Sequence, residues 1–211
     1  EHSTCLPGCH HRAPAQTVAP GALRLPPPPD FIHERPSIPG QARSRSWQSA
    51  NTMSVNRALV LLTKAPIPGF VKTRLVPPLT SEEAAELSRR FLLDLVEMAA
   101  ELPGVDLFLA YTPDDALDLI PGAAREAAVG CLPQGPGDVG QKMRRVFQTL
   151  LDAGRDSVVL ISSDIPTVPS EYVAAGFDRL NNHAAALGPC VDGSYYLLGF
   201  TRVIPAVFSG I

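Results

Sequence analysis

The sequence predicts an α/β domain in which two layers of helices cover a mostly parallel sheet. From residue 57 onward, short apolar segments of strand length alternate with longer segments of helical periodicity, and the connections between them are brief. Alternation on this scale is typical of strand–helix–strand units, whose strands run parallel and are buried on both faces. We therefore predict a three-layer αβα architecture.

Strands are predicted wherever a short apolar run stands between turn residues. These runs are residues 57–63, 105–111, 125–131, 157–162, 184–188 and 195–200. Helices are predicted at residues 81–102, 138–153 and 168–180, with a helical turn at 113–119. The first helix begins after Thr80, because Thr80 and Glu83 have the spacing of a capping box. Its predicted apolar face consists of Ala84, Leu87, Phe91, Leu95, Met98 and Leu102.

The first 52 residues differ in composition from the rest of the chain. They contain nine of the 22 prolines, including the run at residues 26–29, and they show no apolar periodicity. Because little apolar burial would offset the entropy of ordering, we expect a disordered, partly polyproline II tail at 1–52 and a folded domain at 53–211. Met53 directly precedes the first strand, so the tail need not be native to the domain. The tail motif Cys5, Cys9, His10 and His11 could ligate zinc, although no second ligand pair accompanies it.

Charge and hydropathy exclude several classes of partner. The formal net charge of −3 gives no general attraction to nucleic acid or to anionic membranes. No apolar run approaches the roughly 20 residues that span a bilayer. Only Cys131 and Cys190 follow the tail, so we expect no disulfide framework and a cytoplasmic location. His183 is the only histidine after the tail, so no Ser-His-Asp arrangement is expected.

The loop after the first strand carries three cations, Lys64, Lys72 and Arg74, together with two prolines and Gly69. Ligands of open α/β sheets bind beyond the carboxyl ends of the strands, where this loop is expected to lie. If the segment is extended, Lys72 and Arg74 face the same way, and clustered cations suit the phosphates of a nucleotide. A solvated surface loop is the alternative. The glycine spacing of a P-loop is absent.

A second candidate ligand loop is formed by residues 134–143. Three glycines fall within six residues, and a helix with Lys142, Arg144 and Arg145 follows them. Such loops bind ligands through their backbone N–H groups. Asp138 could equally serve as the N-terminal cap of that helix.

Two aspartates are candidate ligands for a divalent cation. Asp164 directly follows the strand at 157–162, and Asp192 precedes the strand at 195–200 within an Asp-Gly turn. Mg²⁺ takes one or two protein carboxylates and completes its shell with phosphate and water oxygens. Because no thiolates or imidazoles accompany these aspartates, we expect Mg²⁺, or alternatively Mn²⁺, and not Zn²⁺.

Four ordered blocks resemble a known family. They are TKAPIPGFVKTRL, QGPGDVGQKMRRVF, SSDIPTVP and LGPCVDGSYYLLGF. Together they resemble the radical-SAM/selenodomain-associated transferase family, also labelled arsenosugar-biosynthesis glycosyltransferase, over about residues 57–211. The chain is more distantly similar to 2-phospholactate guanylyltransferase and molybdenum-cofactor guanylyltransferase. This resemblance implies a GT-A-type nucleotide-diphospho-sugar transferase fold.

The resemblance also implies roles for individual residues. The loop with Gly69, Lys72 and Arg74 matches the phosphate-binding loop of the family. Gln134 and Gly135 lie where relatives contact the base. Asp164 corresponds to the metal aspartate, and Asp192 to a second acidic position near the acceptor. The predicted nucleotide site consists of Lys64, Gly69, Lys72, Arg74, Gln134, Gly135, Gly137 and Asp138.

The chain departs from the family pattern at two places. Ser194 stands where the pattern Asp-Gly-Gly has its second glycine, which would narrow the acceptor side. The sequence ends at residue 211, where relatives continue with another strand and helix, so we expect a truncated C-terminus.

These features predict a Mg²⁺-dependent transferase that acts on a nucleotide sugar or an NTP and a small-molecule acceptor. Lys72 and Arg74 would neutralise charge on the leaving phosphate. A glycosyltransferase would break the sugar–phosphate bond and release a nucleoside diphosphate. A nucleotidyltransferase would break the α–β bond of an NTP and release pyrophosphate. A non-catalytic nucleotide-binding module is the third alternative. The oligomeric state is not predicted.

Overall fold

The structure is a computed structural model that describes residues 56–208. The predicted tail at residues 1–52 and its Cys-His motif lie outside the described residues. The strands are β1 (Arg57–Lys64), β2 (Val105–Thr112), β3 (Gly130–Pro133), β4 (Ser157–Ser162), β5 (Ala185–Pro189) and β6 (Tyr195–Phe200). The helices are α1 (Ser81–Ala100), α2 (Gly122–Ala127), α3 (Val139–Asp152) and α4 (Ser170–Leu180). Short 3₁₀ turns lie at Thr73–Leu75, Leu117–Leu119 and Pro205–Phe208.

The strands form a six-stranded sheet with the order β3-β2-β1-β4-β6-β5. The pairs β3–β2, β2–β1 and β1–β4 are parallel, whereas β6 is antiparallel to both of its neighbours. After β1 the chain moves to one side, to β2 and β3, and then crosses to β4 on the other side of β1. The predicted, mostly parallel α/β fold is therefore confirmed.

Alternate residues of the strands face two separate cores. Leu59 and Leu61 of β1 pack in the cluster that contains the buried faces of α1 and α4. Ala58 and Val60 pack on the opposite side, in the cluster formed with α3. Because side chains alternate along a strand, a fully apolar β1 is what a sheet covered by helices on both faces requires.

The start of α1 agrees with the prediction, but its buried face is rotated. Thr80 and Glu83 form the predicted capping box, in which each side chain binds the other residue's backbone N–H. Leu87 and Phe91, predicted as core residues, are only half-buried, and Ser88 and Leu92 are buried instead. Ala85 is buried beside Ala84, and the buried stripe continues from Ala85 along the helix through Ser88 and Leu92.

The prediction of a strand at residues 125–131 is wrong in its first half. Residues 122–127 form α2, and β3 begins only at Gly130. The segment that becomes α2 is rich in Ala, Glu and Arg, which favour helix. A Cβ at Gly130 would lie 3.1 Å from the ring of Phe108, so the missing side chain lets this edge strand approach β2.

No helix within residues 56–208 has the length and hydropathy needed to cross a membrane.

The α3 side of the core generates a stability prediction. Phe147 is 0% exposed, and its ring centroid lies 4.9 Å from that of Phe200 and 6.0 Å from that of Phe208. We expect Phe147→Ala to lower the free energy of unfolding by about 3–5 kcal/mol through lost burial and the cavity left behind. Thr149→Ala, an exposed change on the same helix, should stay within about 0.5 kcal/mol. Equilibrium denaturation by urea measures both, and a small effect of Phe147→Ala would contradict the packing described.

Candidate functional site

A cavity of about 340 Å³ opens at the carboxyl ends of β1, β2 and β4. It lies where the chain leaves β1 in one direction and returns to β4 in the other, which is the usual ligand position in open α/β sheets. Its wall residues come from β1, the loop after β1, α1, β2, the loop after β3, the start of α3 and the end of β4. They are Leu62, Thr63, Lys64, Val71, Lys72, Ser88, Thr112, Gln134, Val139, Lys142, Ser162, Ser163 and Asp164.

Hydroxyl groups line the floor of this cavity, between β1 and β4. The Ser163 hydroxyl donates to Oγ1 of Thr63 at 3.1 Å, and both residues are buried. The backbone N–H of Ser163 donates to the carbonyl of Leu62 at 3.0 Å, which extends the β1–β4 pairing past the end of the strand. The residues between β1 and β4 are therefore polar, and hydrogen bonds between the two strands hold them in place.

Gln134 braces the cavity between β1 and β2. Its Nε2 atom donates to the carbonyl oxygens of Thr63, at 3.0 Å, and Ala110, at 2.8 Å. Two carbonyl acceptors fix which end of the amide is nitrogen. The amide oxygen is left without a hydrogen-bond partner among the described residues. Gln134 was predicted to contact a base; the structure places it in the cavity wall, where its side chain bonds the backbones of β1 and β2.

The loop after β3 is held from two sides. The backbone N–H of Gly135 donates to Oδ1 of Asp114 at 3.0 Å, and the Arg145 guanidinium donates to the carbonyls of Gln134 and Pro136. Gly135 has a φ of +73°, and a Cβ there would lie 2.5 Å from Nη1 of Arg145. Gly135 therefore serves the close approach of Arg145, and it does not line the cavity.

Asp138 acts as the N-terminal cap of α3, the alternative that the sequence left open. Its side chain accepts from the N–H of Gln141 at 2.8 Å, and the Gln141 side chain accepts from the N–H of Asp138. Gly137, with a φ of +112°, leaves room for that Gln141 side chain. Neither Gly137 nor Asp138 lines the cavity.

Lys72 has a backbone conformation that residues other than glycine rarely adopt. Its φ of 49° and ψ of 31° lie in the left-handed region, at a cost of roughly 1–2 kcal/mol for a residue with a Cβ. Its ammonium lies 2.7 Å from Oδ1 of Asp164 and 4.5 Å from the ring centroid of Phe91. The loop after β1 and the end of β4 are thereby joined by an ion pair at the cavity.

Of the two other cations predicted for this loop, the structure places Lys64 in the cavity wall and Arg74 outside it. Lys72 and Arg74 would face the same way only on an extended segment, and the segment is not extended: Arg74 belongs to the 3₁₀ turn Thr73–Leu75 and is exposed outside the cavity wall. Gly69 is also exposed there, with open space around it. Lys64 does line the cavity, with its ammonium 5.4 Å from the ring centroid of Phe70.

Lys142 is the site residue that sequence reasoning left out. It is half-buried in the first turn of α3, lines the cavity and has no ion-pair partner within residues 56–208. A signal was present, since Lys142 lies four residues after the Asp138 cap, and a helix that starts at the carboxyl edge directs its first turn there. From the sequence alone, Lys142 could not be distinguished from its neighbours Arg144 and Arg145 as the cavity residue.

The two predicted metal aspartates have different surroundings. Asp164 lines the cavity with a side chain that is 68% exposed, and only its Oδ1 atom is bonded, to Lys72. Asp192 lies outside the cavity wall, in a turn where its Oδ1 accepts from the hydroxyl of Ser194 at 2.6 Å and the N–H of Ser194 at 3.0 Å. These hydrogen bonds hold the pKa of the Asp192 carboxyl below its usual value. The structure thus brings Asp164, but not Asp192, to the cavity.

The two cysteines among residues 56–208 do not supply a nucleophile to the cavity. Cys131 lies on β3 and Cys190 before the Asp192 turn, and neither lines it. Burial raises the pKa of the Cys131 thiol, which keeps it in its unreactive protonated form.

The brace formed by Gln134 generates a prediction. Gln134→Glu keeps the size of the side chain but places a carboxylate against the two carbonyl oxygens it now donates to. We expect the free energy of unfolding at neutral pH to fall by at least about 2 kcal/mol, since buried acceptors lose their donor and face a charge. Gln141→Glu, the same change at an exposed position, should stay within about 0.5 kcal/mol. Unchanged stability in Gln134→Glu would show that the brace does not hold the two strands.

Comparisons with known proteins agree with this fold. The model of the family described as "Uncharacterized protein conserved in bacteria (DUF2064)" matches residues 95–211. The crystal structure of a candidate nucleotide-diphospho-sugar transferase from Desulfovibrio desulfuricans G20 has a TM-score of 0.65 and 36% sequence identity, over 74% of this chain and 68% of that chain. That structure confirms the predicted nucleotide-diphospho-sugar transferase fold. No curated protein matches the chain.

Structures of 4-diphosphocytidyl-2C-methyl-D-erythritol synthase are more distant. One has a TM-score of 0.45 and 14% identity over 73% of this chain and 80% of its own. Another, from Anaerococcus prevotii DSM 20548, has a TM-score of 0.47 and 12% identity over 74% of this chain and 75% of its own. At these values neither supports an argument about function. Because the family model matches residues 95–211, more than half of the chain, the chain belongs to the DUF2064 family.

Proposed function

We propose that the protein is a Mg²⁺-dependent transferase whose cavity binds the phosphates of a nucleotide sugar, and that it transfers the sugar to a small acceptor. The observation that carries this proposal is the charge of the cavity. Three lysines, Lys64, Lys72 and Lys142, line it together with one acidic residue, Asp164. A candidate nucleotide-diphospho-sugar transferase with 36% identity supports the same assignment.

The lysines suit a polyphosphate because they approach from separate elements. Lys64 comes from the end of β1, Lys72 from the following loop and Lys142 from α3, so a ligand between them would meet positive charge on several sides. Ammonium groups act as point charges on phosphate and need no fixed fork geometry. Arg74, exposed outside the cavity wall, keeps its predicted phosphate role only if a long ligand extends beyond the cavity.

Asp164 fits a divalent cation of the magnesium type. It is exposed, its Oδ2 atom has no partner among the described residues, and Ser162 and Ser163 line the same cavity. Within residues 56–208 no three His, Cys, Asp or Glu side chains cluster in a way that could hold a metal ion. A single carboxylate suits Mg²⁺, which takes its other ligands from phosphate and water. When bound, the ion would supply charge neutralisation at the leaving phosphate.

The chain's own residues would bind and orient the nucleotide sugar and neutralise the charge on its phosphates. Lys64 and Lys142 would balance the charge that develops on the leaving nucleoside diphosphate. Gln134 would hold β1 and β2 in register under the nucleotide, and its amide oxygen would accept a hydrogen bond from the nucleotide. Asp192, on the turn before β6, would face the small molecule that receives the sugar. Because the described part of the chain offers no activated nucleophile in the cavity, direct attack by an aligned acceptor is the mechanism that we propose.

The phosphate-binding role of Lys142 is directly testable. We expect Lys142→Ala to weaken binding of UDP-glucose, GTP or UTP in Mg²⁺ by about 10-fold to 100-fold, the loss expected for one charge-assisted hydrogen bond. Arg144→Ala removes a cation from the same helix outside the cavity and should leave affinity within about twofold. Isothermal titration measures both variants. Equal affinities in the two would show that the cavity is not the phosphate site.

The reaction itself is tested by its products. Incubation with separate NDP-sugars and NTPs in Mg²⁺ should release a nucleoside diphosphate from one of the sugars, and Asp164→Asn should reduce turnover by at least about 100-fold. Release of pyrophosphate from an NTP would assign nucleotidyl transfer in its place. Binding without either product would support the non-catalytic alternative. Turnover that survives Asp164→Asn would contradict the assignment of the metal to this carboxylate.

A further inference from the structure

We propose that Lys72 is an internal counter-ion that neutralises Asp164 until a metal–polyphosphate complex arrives. The ligand-free site would then admit a divalent cation only together with the phosphates, and poorly by itself. The true substrate of the cavity would be the metal–nucleotide complex as one unit. This inference rests on the proposed function, since it takes Asp164 as the cation ligand.

The two members of the ion pair differ in their exposure. The Lys72 side chain is 13% exposed, whereas the Asp164 side chain is 68% exposed. The Lys72 ammonium is also fixed from a second direction, by the ring of Phe91 at 4.5 Å. The cation is therefore held in the wall, and the carboxylate that it neutralises stays open to the cavity.

The backbone at Lys72 indicates that its position is imposed by its surroundings. Within the described part of the chain, Lys72 is the one residue other than glycine that has a positive φ. Its carbonyl accepts from the N–H of Leu75 at 2.8 Å, which begins the 3₁₀ turn. Strained conformations of this kind persist where neighbouring contacts hold them and are concentrated at functional sites. Here the contacts that hold the side chain are Asp164 and Phe91.

A divalent cation and Lys72 would compete for the same carboxylate. The ammonium already occupies Oδ1 of Asp164, and a cation on Oδ2 would stand close to it and be repelled. A metal ion alone offers the ammonium no other anion. A polyphosphate offers oxygens both to the metal ion and to the ammonium, so both positive charges are satisfied once the complex binds. No covalent step is involved, only an exchange of ionic partners.

The competition predicts opposite effects of one substitution. Lys72→Met keeps the aliphatic chain against Phe91 and removes the charge. We expect it to bind Mn²⁺ in the absence of nucleotide about threefold to fivefold more tightly than wild type, the upper part of the range for loss of a partly exposed ion pair. The same variant should bind UDP-glucose or GTP more weakly in the presence of Mg²⁺. Electron paramagnetic resonance of free Mn²⁺ gives the first affinity, and calorimetry the second.

Three further variants complete the experiment. Lys72→Arg keeps the charge and should retain wild-type Mn²⁺ affinity. Lys142→Met removes another cation of the same cavity, one that does not contact Asp164, and should change Mn²⁺ affinity by less than about twofold. The double variant Lys72→Met/Asp164→Asn should lose the gain. Thermal unfolding of each variant shows that the Mn²⁺ affinities compare folded proteins.

The outcomes separate this inference from the proposed function. An Mn²⁺ affinity of Lys72→Met that is unchanged, lower or too weak to measure would overturn the counter-ion role. So would a gain that survives Asp164→Asn, because the ion would then bind elsewhere. A gain that depends on Asp164, found together with wild-type protein that binds no nucleotide, would support the competition at Asp164 and contradict the proposed function.

Discussion

The parallel direction of β3, β2, β1 and β4 is the constraint on which the site depends, because it brings four carboxyl ends to one edge of the sheet. The chain leaves β1 toward β2 and later returns on the other side to β4, so the loops after β1 and β4 diverge and leave a cavity. Gln134 keeps that edge in register by donating to a carbonyl near the end of each of two strands, Thr63 of β1 and Ala110 of β2. The polar groups at the ends of β1, β2 and β4 are positioned by this arrangement.

The charge of the cavity is an arrangement that folding alone would not favour. Like charges brought together at an edge oppose the folded state, and only Lys72 finds a carboxylate there within the described residues. Lys64 contacts an aromatic ring, and Lys142 has no ionic partner in the same part of the chain. Under the proposed function, such a site would be prearranged for an anionic ligand at some cost in stability.

The fold could be predicted because strand length, apolar runs and turn residues agree from β1 to β6. The errors occurred where those signals are weak, as at β3, a four-residue edge strand next to an alanine-rich helix. In the site, Asp164 and Lys64 follow from their places at strand ends. Which of Lys72 and Arg74 reaches the cavity could not be predicted, since that depends on a left-handed backbone at Lys72 that no local pattern signals.

The direction of β6 explains why the two aspartates differ. β6 is antiparallel to β4, with Leu197 opposite Ile161, so the beginning of β6 and not its end lies at the site edge. Asp192 therefore enters from a turn, where Ser194 bonds its carboxylate and stabilises the charged form. Asp164 is instead paired with the Lys72 ammonium, and in the exchange that we propose its charge becomes available when a ligand gives Lys72 another anion. A carboxylate such as Asp192, held in a turn by hydroxyl and N–H donors, is suited to accept a hydrogen bond from a substrate while staying in place. A carboxylate such as Asp164, held by an ammonium that can be displaced, is suited to exchange one cationic partner for another.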